Sequence, residues 1–189
     1  MLAEFYSIII RSLKLDKTIY KEKKYFEHEA GIYLAISIII LSALVTLIPH
    51  KAILNYYSPR VGELIELPRL LWVIFSSGVA WLLRSVYLFL VVIILFPNKK
   101  IKKKFTKTLV VVGFAHAPFL LNLFILDFKL IYLTIVAYIW YCIILVIGIN
   151  QIYQFNNILR STIIVMAPVI IFIVFAFYLV LNNTNGTIT

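Results

Sequence analysis

The feature that most constrains this chain is a series of uninterrupted apolar stretches, each about as long as a membrane's hydrocarbon core is thick. A helix rises about 1.5 Å per residue, so roughly 20 apolar residues are needed to cross about 30 Å of hydrocarbon. Five stretches meet this requirement: residues 30–48, 70–96, 108–126, 130–149 and 162–181. The sequence therefore predicts an all-α fold, a polytopic transmembrane helical bundle of five spans.

The overall composition agrees with a membrane protein. Of the 189 residues, 63% are hydrophobic, whereas soluble domains average about 45–50% apolar residues. The formal net charge of +10 would suggest nucleic acid binding in a soluble protein, but here the lysines border apolar spans. We therefore expect membrane lipids, anionic ones in particular, and no nucleic acid as partners of these charges.

The distribution of Lys and Arg predicts the orientation, because cytoplasmic loops retain positive charge. Thirteen of the 18 basic residues precede the first span or lie in the second–third and fourth–fifth connections, and four lie in the other connections. This predicts a cytoplasmic N-terminus and an external C-terminus. The expected organisation is a cytoplasmic amphipathic segment 1–29, a five-helix transmembrane domain 30–181 and a short external tail 182–189.

The connections between spans differ in length. Residues 127–129 are so few that the third and fourth spans must form a tight antiparallel hairpin. The connection 49–69 is long and contains Pro49, Pro59 and Pro68, so it is predicted to be an irregular, packed loop.

The N-terminal segment has an amphipathic pattern. Five apolar residues recur at helical spacings of three and four: Leu2, Phe5, Tyr6, Ile9 and Leu13. This predicts an interfacial amphipathic helix that lies at the membrane surface, followed by a second short helix around residues 19–26. Such a helix either senses lipid or docks a partner, or only holds the chain at the surface.

A polybasic loop joins the second and third spans. Its lysines are the candidate anionic-lipid contacts: Lys99, Lys100, Lys102, Lys103, Lys104 and Lys107. An anionic leaflet contributes about 1 kcal/mol per basic residue near its surface. The alternative is that the loop only fixes the direction of insertion, as basic loops do in any membrane protein.

Ionisable groups within a bilayer are costly and mark candidate functional sites. The candidate intramembrane polar site comprises Arg84, His116 and Asn122. Arg84 either faces the bundle interior, paired with hydroxyls, carbonyls, water or an external anion, or snorkels to the interface. His116 lies between Gly113 and Pro118, in a span that is predicted to pack closely at Gly113 and to break its hydrogen-bond ladder at Pro118.

Enzymatic templates do not fit the sequence. It has no His-x-x-His or Cys-x-x-Cys spacing for a metal, no nucleophile turn, no nucleotide-binding loop and no carboxylate within a span. We therefore expect no catalytic residue, no metal and no cofactor. The single cysteine, Cys142, excludes an internal disulfide and is interpreted as a small core residue.

The order of these features resembles the Yip-domain family of five-span membrane proteins, in particular its short prokaryotic branch. Residues 10–17 with Tyr20 look like the amphipathic segment before the first span, and residues 104–118 are similar to the basic loop and Gly-aromatic-Pro third span. The most specific part is residues 140–149, which begin with Trp140, then the polar turn 150–160 and the last span with Pro168.

The resemblance implies the same orientation as the charge count. Eukaryotic members are associated with membrane trafficking and small GTPases through an Asp-Leu-Tyr-Gly-Pro motif, which this chain lacks, so no GTPase partner is carried over. The resemblance implies a non-enzymatic protein of a prokaryotic cytoplasmic membrane that organises membrane or docks partners through its basic surface. Its expected partners are other proteins or further copies of the same chain in a homo-oligomer. The alternative is a small-solute or ion permease or channel subunit, in which Arg84, His116 and Asn122 line a polar path.

Overall fold

The computed structural model describes residues 2–26, 29–57, 67–97, 104–124 and 132–185. Every regular element in these ranges is a helix. The α-helices are α1 (Leu2–Leu13), α2 (Lys23–Phe26), α3 (Ala30–Tyr57), α4 (Leu67–Leu95), α5 (Phe105–Ala115), α6 (Tyr132–Tyr153) and α7 (Ile158–Asn185). An N-terminal 3-10 helix spans Lys17–Lys21, and a 3-10 extension of α5 spans Ala117–Phe124.

Four helical segments are long and apolar enough to cross a membrane. They are Ala30–Leu47, Leu70–Leu95, Phe105–Leu123 and Tyr132–Tyr153. A shorter apolar segment, Ile158–Pro168, forms the first part of α7. The predicted fifth span, residues 162–181, lies within α7. The chain is therefore an all-α protein of the integral membrane class, with four such helices among the described residues.

Helix α5 lies at the centre of the bundle. Its buried face includes Val110, Val111, Val112 and Phe114, none of which has exposed surface. Helices α3, α4 and α6 all pack against it, together with the N-terminal helices α1 and α2. A helix that is apolar on every side is suited to this enclosed position.

Two contacts show how closely the neighbouring helices approach α5. The indole Nε1 of Trp81 on α4 donates a hydrogen bond of 2.9 Å to the backbone carbonyl of Leu109. On the α3 side, a Cβ placed on Gly113 would overlap with the Cβ of Ala35. The predicted close packing at Gly113 is confirmed, since only a residue without a side chain fits there.

The third apolar segment changes its helical form at His116. The backbone N–H of His116 donates to Gly113 at 3.1 Å, and Phe119 donates to His116 at 3.0 Å, both with three-residue spacing. Pro118 has no N–H to donate to the carbonyl four residues earlier. The predicted interruption is therefore observed as a switch from α5 to its 3-10 extension.

Helices α5 and α6 run antiparallel. Thr108 near the start of α5 shares a 2.7 Å hydrogen bond with Tyr153 at the end of α6. At the opposite end, Asn122 accepts a hydrogen bond of 3.4 Å from Thr134. The antiparallel pairing is confirmed, while the hairpin residues 127–129 lie outside the described residues.

The N-terminal segment contributes to the same hydrophobic core as the long helices. Ile8, Ile19, Tyr20, Tyr25 and Phe26 are buried members of that core, and the last two rings contact Phe114 edge to face. The buried stripe of α1 follows Ile8 and Ser12, whereas Tyr6, which we predicted on its apolar face, is exposed. The second short helix predicted at residues 19–26 is observed in two pieces, the N-terminal 3-10 helix and α2.

The prediction of an irregular loop over residues 49–69 was wrong at both of its ends. Helix α3 continues to Tyr57, and α4 already begins at Leu67. Proline is tolerated within membrane helices better than in soluble ones, because neighbouring groups satisfy the freed carbonyls. Pro49 therefore does not end α3, and only residues 58–66 of this connection lie outside the described residues.

Candidate functional site

The ends of four helices meet at one end of the bundle, which we call the basic end. The rings of Phe96, after α4, and Phe155, after α6, have centroids 4.9 Å apart. The guanidinium carbon of Arg160, near the start of α7, lies 5.2 Å from the Phe96 ring centroid. Helix α5 begins here too, because Lys104 donates a 2.7 Å hydrogen bond to the carbonyl of Ile152 on α6.

A polar pocket of about 570 Å³ opens at the basic end. Three lysines line it, one from the N-terminal 3-10 helix and two from the start of α5: Lys21, Lys104 and Lys107. The opposite wall carries amides from the end of α6: Asn150, Gln151 and Gln154. We call this the lysine pocket, and it combines cations with amide donors and acceptors.

Lys104 is held at the mouth of the lysine pocket by α6. Besides its bond to Ile152, its ammonium lies 5.6 Å from the ring centroid of Tyr153, a cation–π distance. Lys104 is also the N-cap of α5, and its side chain makes no capping hydrogen bond. The first N–H groups of a helix lack intrahelical partners and carry partial positive charge, which adds to the charge of the lysines.

The amide wall is shaped by the end of α6. Gln154 has a positive φ of 56°, and the N–H of Phe155 donates to the carbonyl of Asn150 at 3.3 Å, which is the six-to-one bond of a Schellman motif. The Asn150 side-chain oxygen is buried and has no hydrogen-bond partner among the described residues.

The third lysine is positioned by a polar cluster in the N-terminal segment. The Arg11 guanidinium pairs with Asp16 at 2.8 Å and with Glu22, and donates to Thr18 at 2.9 Å. Asp16 caps the 3-10 helix that carries Lys21, accepting a 2.9 Å bond from the Thr18 N–H. Hydrogen bonds from Thr18 and Arg11 lower the pKa of Asp16 to about 2, so this carboxylate stays ionised at neutral pH.

Tyr20 forms the floor between Lys21 and α6. Its ring approaches Gly148 so closely that a Cβ there would lie 3.2 Å from the Tyr20 Cε1. Burial, followed by the nearby Asp16 charge, raises the pKa of Tyr20. The phenol therefore remains neutral and does not add negative charge to the lysine pocket.

The intramembrane candidates are joined by a residue that the sequence did not single out. The Nη1 of Arg84 on α4 donates to the Oη of Tyr141 on α6 at 3.2 Å, and its guanidinium lies 5.2 Å from the Tyr141 ring centroid. The ring centroids of His116 and Tyr141 are 5.1 Å apart in an edge-to-face arrangement. Arg84 and His116 are thus brought together through Tyr141.

His116 itself is a buried residue of the core. Its Nδ1 lies 2.7 Å from the carbonyl oxygen of Val112, one helical turn earlier. The hydrogen-bond partner of the imidazole is therefore a carbonyl of its own helix and not a group on a neighbouring helix. Arg84, in contrast, is exposed at the side of the bundle and is not enclosed in its interior.

Asn122 does not join this cluster. It is fully buried, and its partner is Thr134 on α6, seven residues or about 10 Å along the helix from Tyr141. Its Nδ2 has no partner among the described residues. Of the three predicted residues, Arg84 and His116 therefore meet around Tyr141. Asn122 lies apart from them, beside Thr134 near the start of α6.

Of the six candidate lipid lysines, the structure places Lys104 and Lys107 in the lysine pocket. Lys99, Lys100, Lys102 and Lys103 lie outside the described residues. Sequence reasoning missed Lys21 and the amide wall as site residues. The signal that could have identified them is the polar turn 150–160, which follows the fourth span and must lie on the same membrane face as the polybasic loop.

The described residues contain no group of three or more His, Cys, Asp or Glu that could hold a metal ion. Fold and site together define a class: a small helical membrane protein with a lysine-lined pocket at one end. No protein-family model, curated protein or solved structure matches the chain. The similarity to Yip-domain proteins is therefore carried only by the sequence features described above.

Proposed function

We propose that the chain is a non-enzymatic, multi-pass membrane protein that binds anionic lipid headgroups in the lysine pocket and docks membrane or protein partners through this surface. One observation carries the proposal. Lys21, Lys104 and Lys107, from two segments far apart in sequence, converge on one pocket of about 570 Å³. Three cations around one cavity make its lining electrostatically complementary to an anionic occupant.

The composition of the lysine pocket supports a phosphate-bearing headgroup with hydroxyls. The ammonium groups and the uncapped start of α5 attract the phosphate. The glutamines of the amide wall, Gln151 and Gln154, suit a headgroup hydroxyl, as in phosphatidylglycerol. A zwitterionic choline headgroup would bring a further cation among the three lysines and is disfavoured.

The topology that places the lysine pocket at a membrane surface is part of the same proposal. We infer five spans, with α7 as the fifth, because this helix has 28 residues and could cover about 42 Å. The basic end then faces the cytoplasm under the positive-inside rule. Helix α1 lies at that interface, and a prokaryotic cytoplasmic membrane and membership of the Yip type follow from the resemblance.

The experiment compares lipid retention by the purified full-length protein, measured by native mass spectrometry with phosphatidylglycerol and phosphatidylcholine. The variant K21Q/K107Q removes two pocket charges and leaves the Lys104 bond to α6 intact. At about 1 kcal/mol per charge, phosphatidylglycerol affinity should fall about tenfold or more.

The matched control is K14Q/K17Q, which removes two exposed lysines of the same segment that do not line the pocket. It should retain most phosphatidylglycerol binding. Equal losses in the two double variants would mean that only diffuse charge attracts the lipid, and the pocket proposal would be abandoned.

A second candidate function is favoured by the Arg84–Tyr141–His116 cluster, which lies along the length of the long helices. A permease or channel subunit would use such polar groups as a path for a small solute or ion. Flux of a defined anion such as chloride into proteoliposomes, lost in Arg84→Leu and kept in K21Q/K107Q, would support this function in place of lipid docking.

A further inference from the structure

Arg84 carries a charge midway along the apolar helix α4, at the side of the bundle. It lies 11 residues from Leu95 and 17 from Leu67, the ends of α4, which correspond to about 16 and 25 Å. Its partner Tyr141 lies 9 residues from one end of α6 and 12 from the other, about 13 and 18 Å. Measured along the helix axes, both residues are therefore about 13 Å or more from either end of their helices, which under the proposed topology places them within the hydrocarbon region.

Among the described residues, no acidic side chain pairs with this charge. In the sequence, all eight acidic residues lie at positions 4–29, 63–66 and 127, outside the five apolar stretches. Guanidinium does not lose its proton in proteins, and an unpaired arginine at the centre of a membrane helix costs at least about 2.5–3.5 kcal/mol. The neutral Tyr141 phenol offers one hydrogen bond and a ring face, but no negative charge.

Arg84 opens into a groove between α4, α6 and α7, which we call the Arg84 groove. Its volume is about 290 Å³. Its polar lining groups are the Arg84 guanidinium, tyrosine hydroxyls and the Cys142 thiol. The remaining walls are apolar and include Leu88, Leu145 and Val165. A single cation in an apolar groove that is open to the side of the bundle is complementary to an amphiphile with one compact anionic group.

We propose that the Arg84 groove binds the carboxylate of a long-chain fatty acid, with the acyl chain along the apolar wall. Arg84 uses one of its five N–H donors on Tyr141, so the others remain for a bidentate bond to a carboxylate. Since the Tyr141 oxygen accepts that bond, its own O–H is a further donor toward the same anion.

Depth selects a carboxylate over a phospholipid phosphate. A phosphodiester keeps its charge at any accessible pH, and its headgroup lies at the membrane surface, about 15 Å from the bilayer centre. A carboxylic acid becomes neutral on protonation and can therefore reach an arginine in the hydrocarbon region without carrying a charge through it. Its small head also fits a groove that offers one cation and few other polar groups.

The first test needs no variant. Full-length protein in detergent is incubated with oleate, with methyl oleate, which has the same chain without the charge, or with phosphatidylglycerol, and adducts are counted by native mass spectrometry. We expect one saturable oleate site with at least about tenfold higher affinity than for methyl oleate. Equal affinity for acid and ester would overturn the proposal.

The second test locates the site. Arg84→Gln should lower oleate affinity about tenfold or more, and Tyr141→Phe, which keeps the arginine, should lower it about threefold. Arg160→Gln is the matched control, because it removes an exposed arginine that stacks on Phe96 at the basic end. The proposal would be overturned if Arg84→Gln and Arg160→Gln lowered oleate affinity equally. It would also be overturned if the binding of phosphatidylglycerol, and not that of oleate, depended on Arg84.

Discussion

The guanidinium of Arg84 and the phenol of Tyr141 are 3.2 Å apart at their nearest nitrogen and oxygen atoms, and this bond joins α4 to α6. The cation also lies 5.2 Å from the centroid of the same ring. One neutral residue thus provides both a hydrogen-bond acceptor and a π face for the charge. This relationship keeps Arg84 beside the bundle and fixes where its remaining donors can act.

The energy of this contact is measurable with Tyr141→Phe, which removes the hydroxyl and keeps the ring. We expect the free energy of unfolding to fall by about 0.5–1.5 kcal/mol, the usual range for one hydrogen bond in water or in membranes. Equilibrium unfolding in mixed micelles measures it. Tyr138→Phe is the control, because its ring stacks on Tyr141 with centroids 6.0 Å apart; a loss as large in this variant would show that the Arg84 bond contributes nothing specific.

The contact between α3 and α5 predicts that two glycines respond oppositely to alanine. A Cβ at Gly113 would overlap with Ala35, while nothing lies within 4 Å of a Cβ at Gly78. Gly113→Ala should lower the free energy of unfolding by about 1–3 kcal/mol through overpacking. Gly78→Ala should leave it unchanged or raise it by up to about 1 kcal/mol. Thermal unfolding in one detergent compares them, and a tolerated Gly113→Ala would contradict the close approach of α3 and α5.

The hydrogen bonds of Asp16 predict that the stability of the N-terminal segment depends on pH. The pKa of the Asp16 carboxyl is about 2 in the folded chain, against an ordinary value of about 3.9. Because the folded pKa is the lower one, Asp16 contributes its full stabilisation above about pH 4 and loses it as the pH falls toward 2.

Hydrogen exchange of residues 11–22, corrected for the intrinsic rate at each pH, checks this prediction. Protection in the wild type should be constant above about pH 4 and should decline below it. Asp16→Asn should be less protected at neutral pH and should show a smaller decline in protection as the pH falls. An identical pH profile in the two proteins would exclude Asp16 as the titrating group.

The proposed topology is tested with Lys102→Cys and Asn185→Cys, made in a variant in which Cys142 is replaced by Ser. With five spans, a membrane-impermeant thiol reagent should label these two positions from opposite sides of sealed vesicles. A cysteine at Lys14 serves as the cytoplasmic control and should behave like the one at Lys102. Labelling of positions 102 and 185 from the same side would remove the five-span arrangement.

The long helices were predictable because membrane thickness alone sets a minimum apolar length, and that requirement is visible without knowing any contact. Arg84 was also predictable, since it is the one basic residue within an apolar stretch. Tyr141 was not, because the chain has 12 tyrosines and α6 is apolar around its whole circumference. Hydrophobic periodicity therefore does not indicate which face of α6 meets α4.

The lysine pocket lay beyond sequence reasoning for a different reason. Lys21 and Lys104 are separated by 83 positions, and no spacing rule relates residues that only tertiary packing brings together. The orientation of α1 was similarly underdetermined, since its pattern allows both the Tyr6 side and the Ile8 side to be apolar. Packing against α5 selected Ile8.

The end of α6 provides the last prediction. Gln154 adopts a left-handed conformation, with φ of 56°. This conformation costs an ordinary L-residue about 1–2 kcal/mol. Glycine avoids that cost but loses about 0.5–1 kcal/mol through the greater backbone entropy of the unfolded chain. Gln154→Gly should therefore raise the free energy of unfolding by about 0.5–1 kcal/mol. Gln151→Gly is the control, because Gln151 lies in the last turn of α6 with a helical backbone, so glycine relieves no strain there and should lower the same quantity by up to about 1 kcal/mol. Both are measured by equilibrium unfolding in mixed micelles, and a loss of stability in both variants would contradict the left-handed conformation of Gln154.

Because Gln154 also lines the lysine pocket, Gln154→Gly should bind phosphatidylglycerol more weakly although it is more stable. Comparing its lipid affinity with its free energy of unfolding separates the side chain's contribution to binding from its effect on the fold.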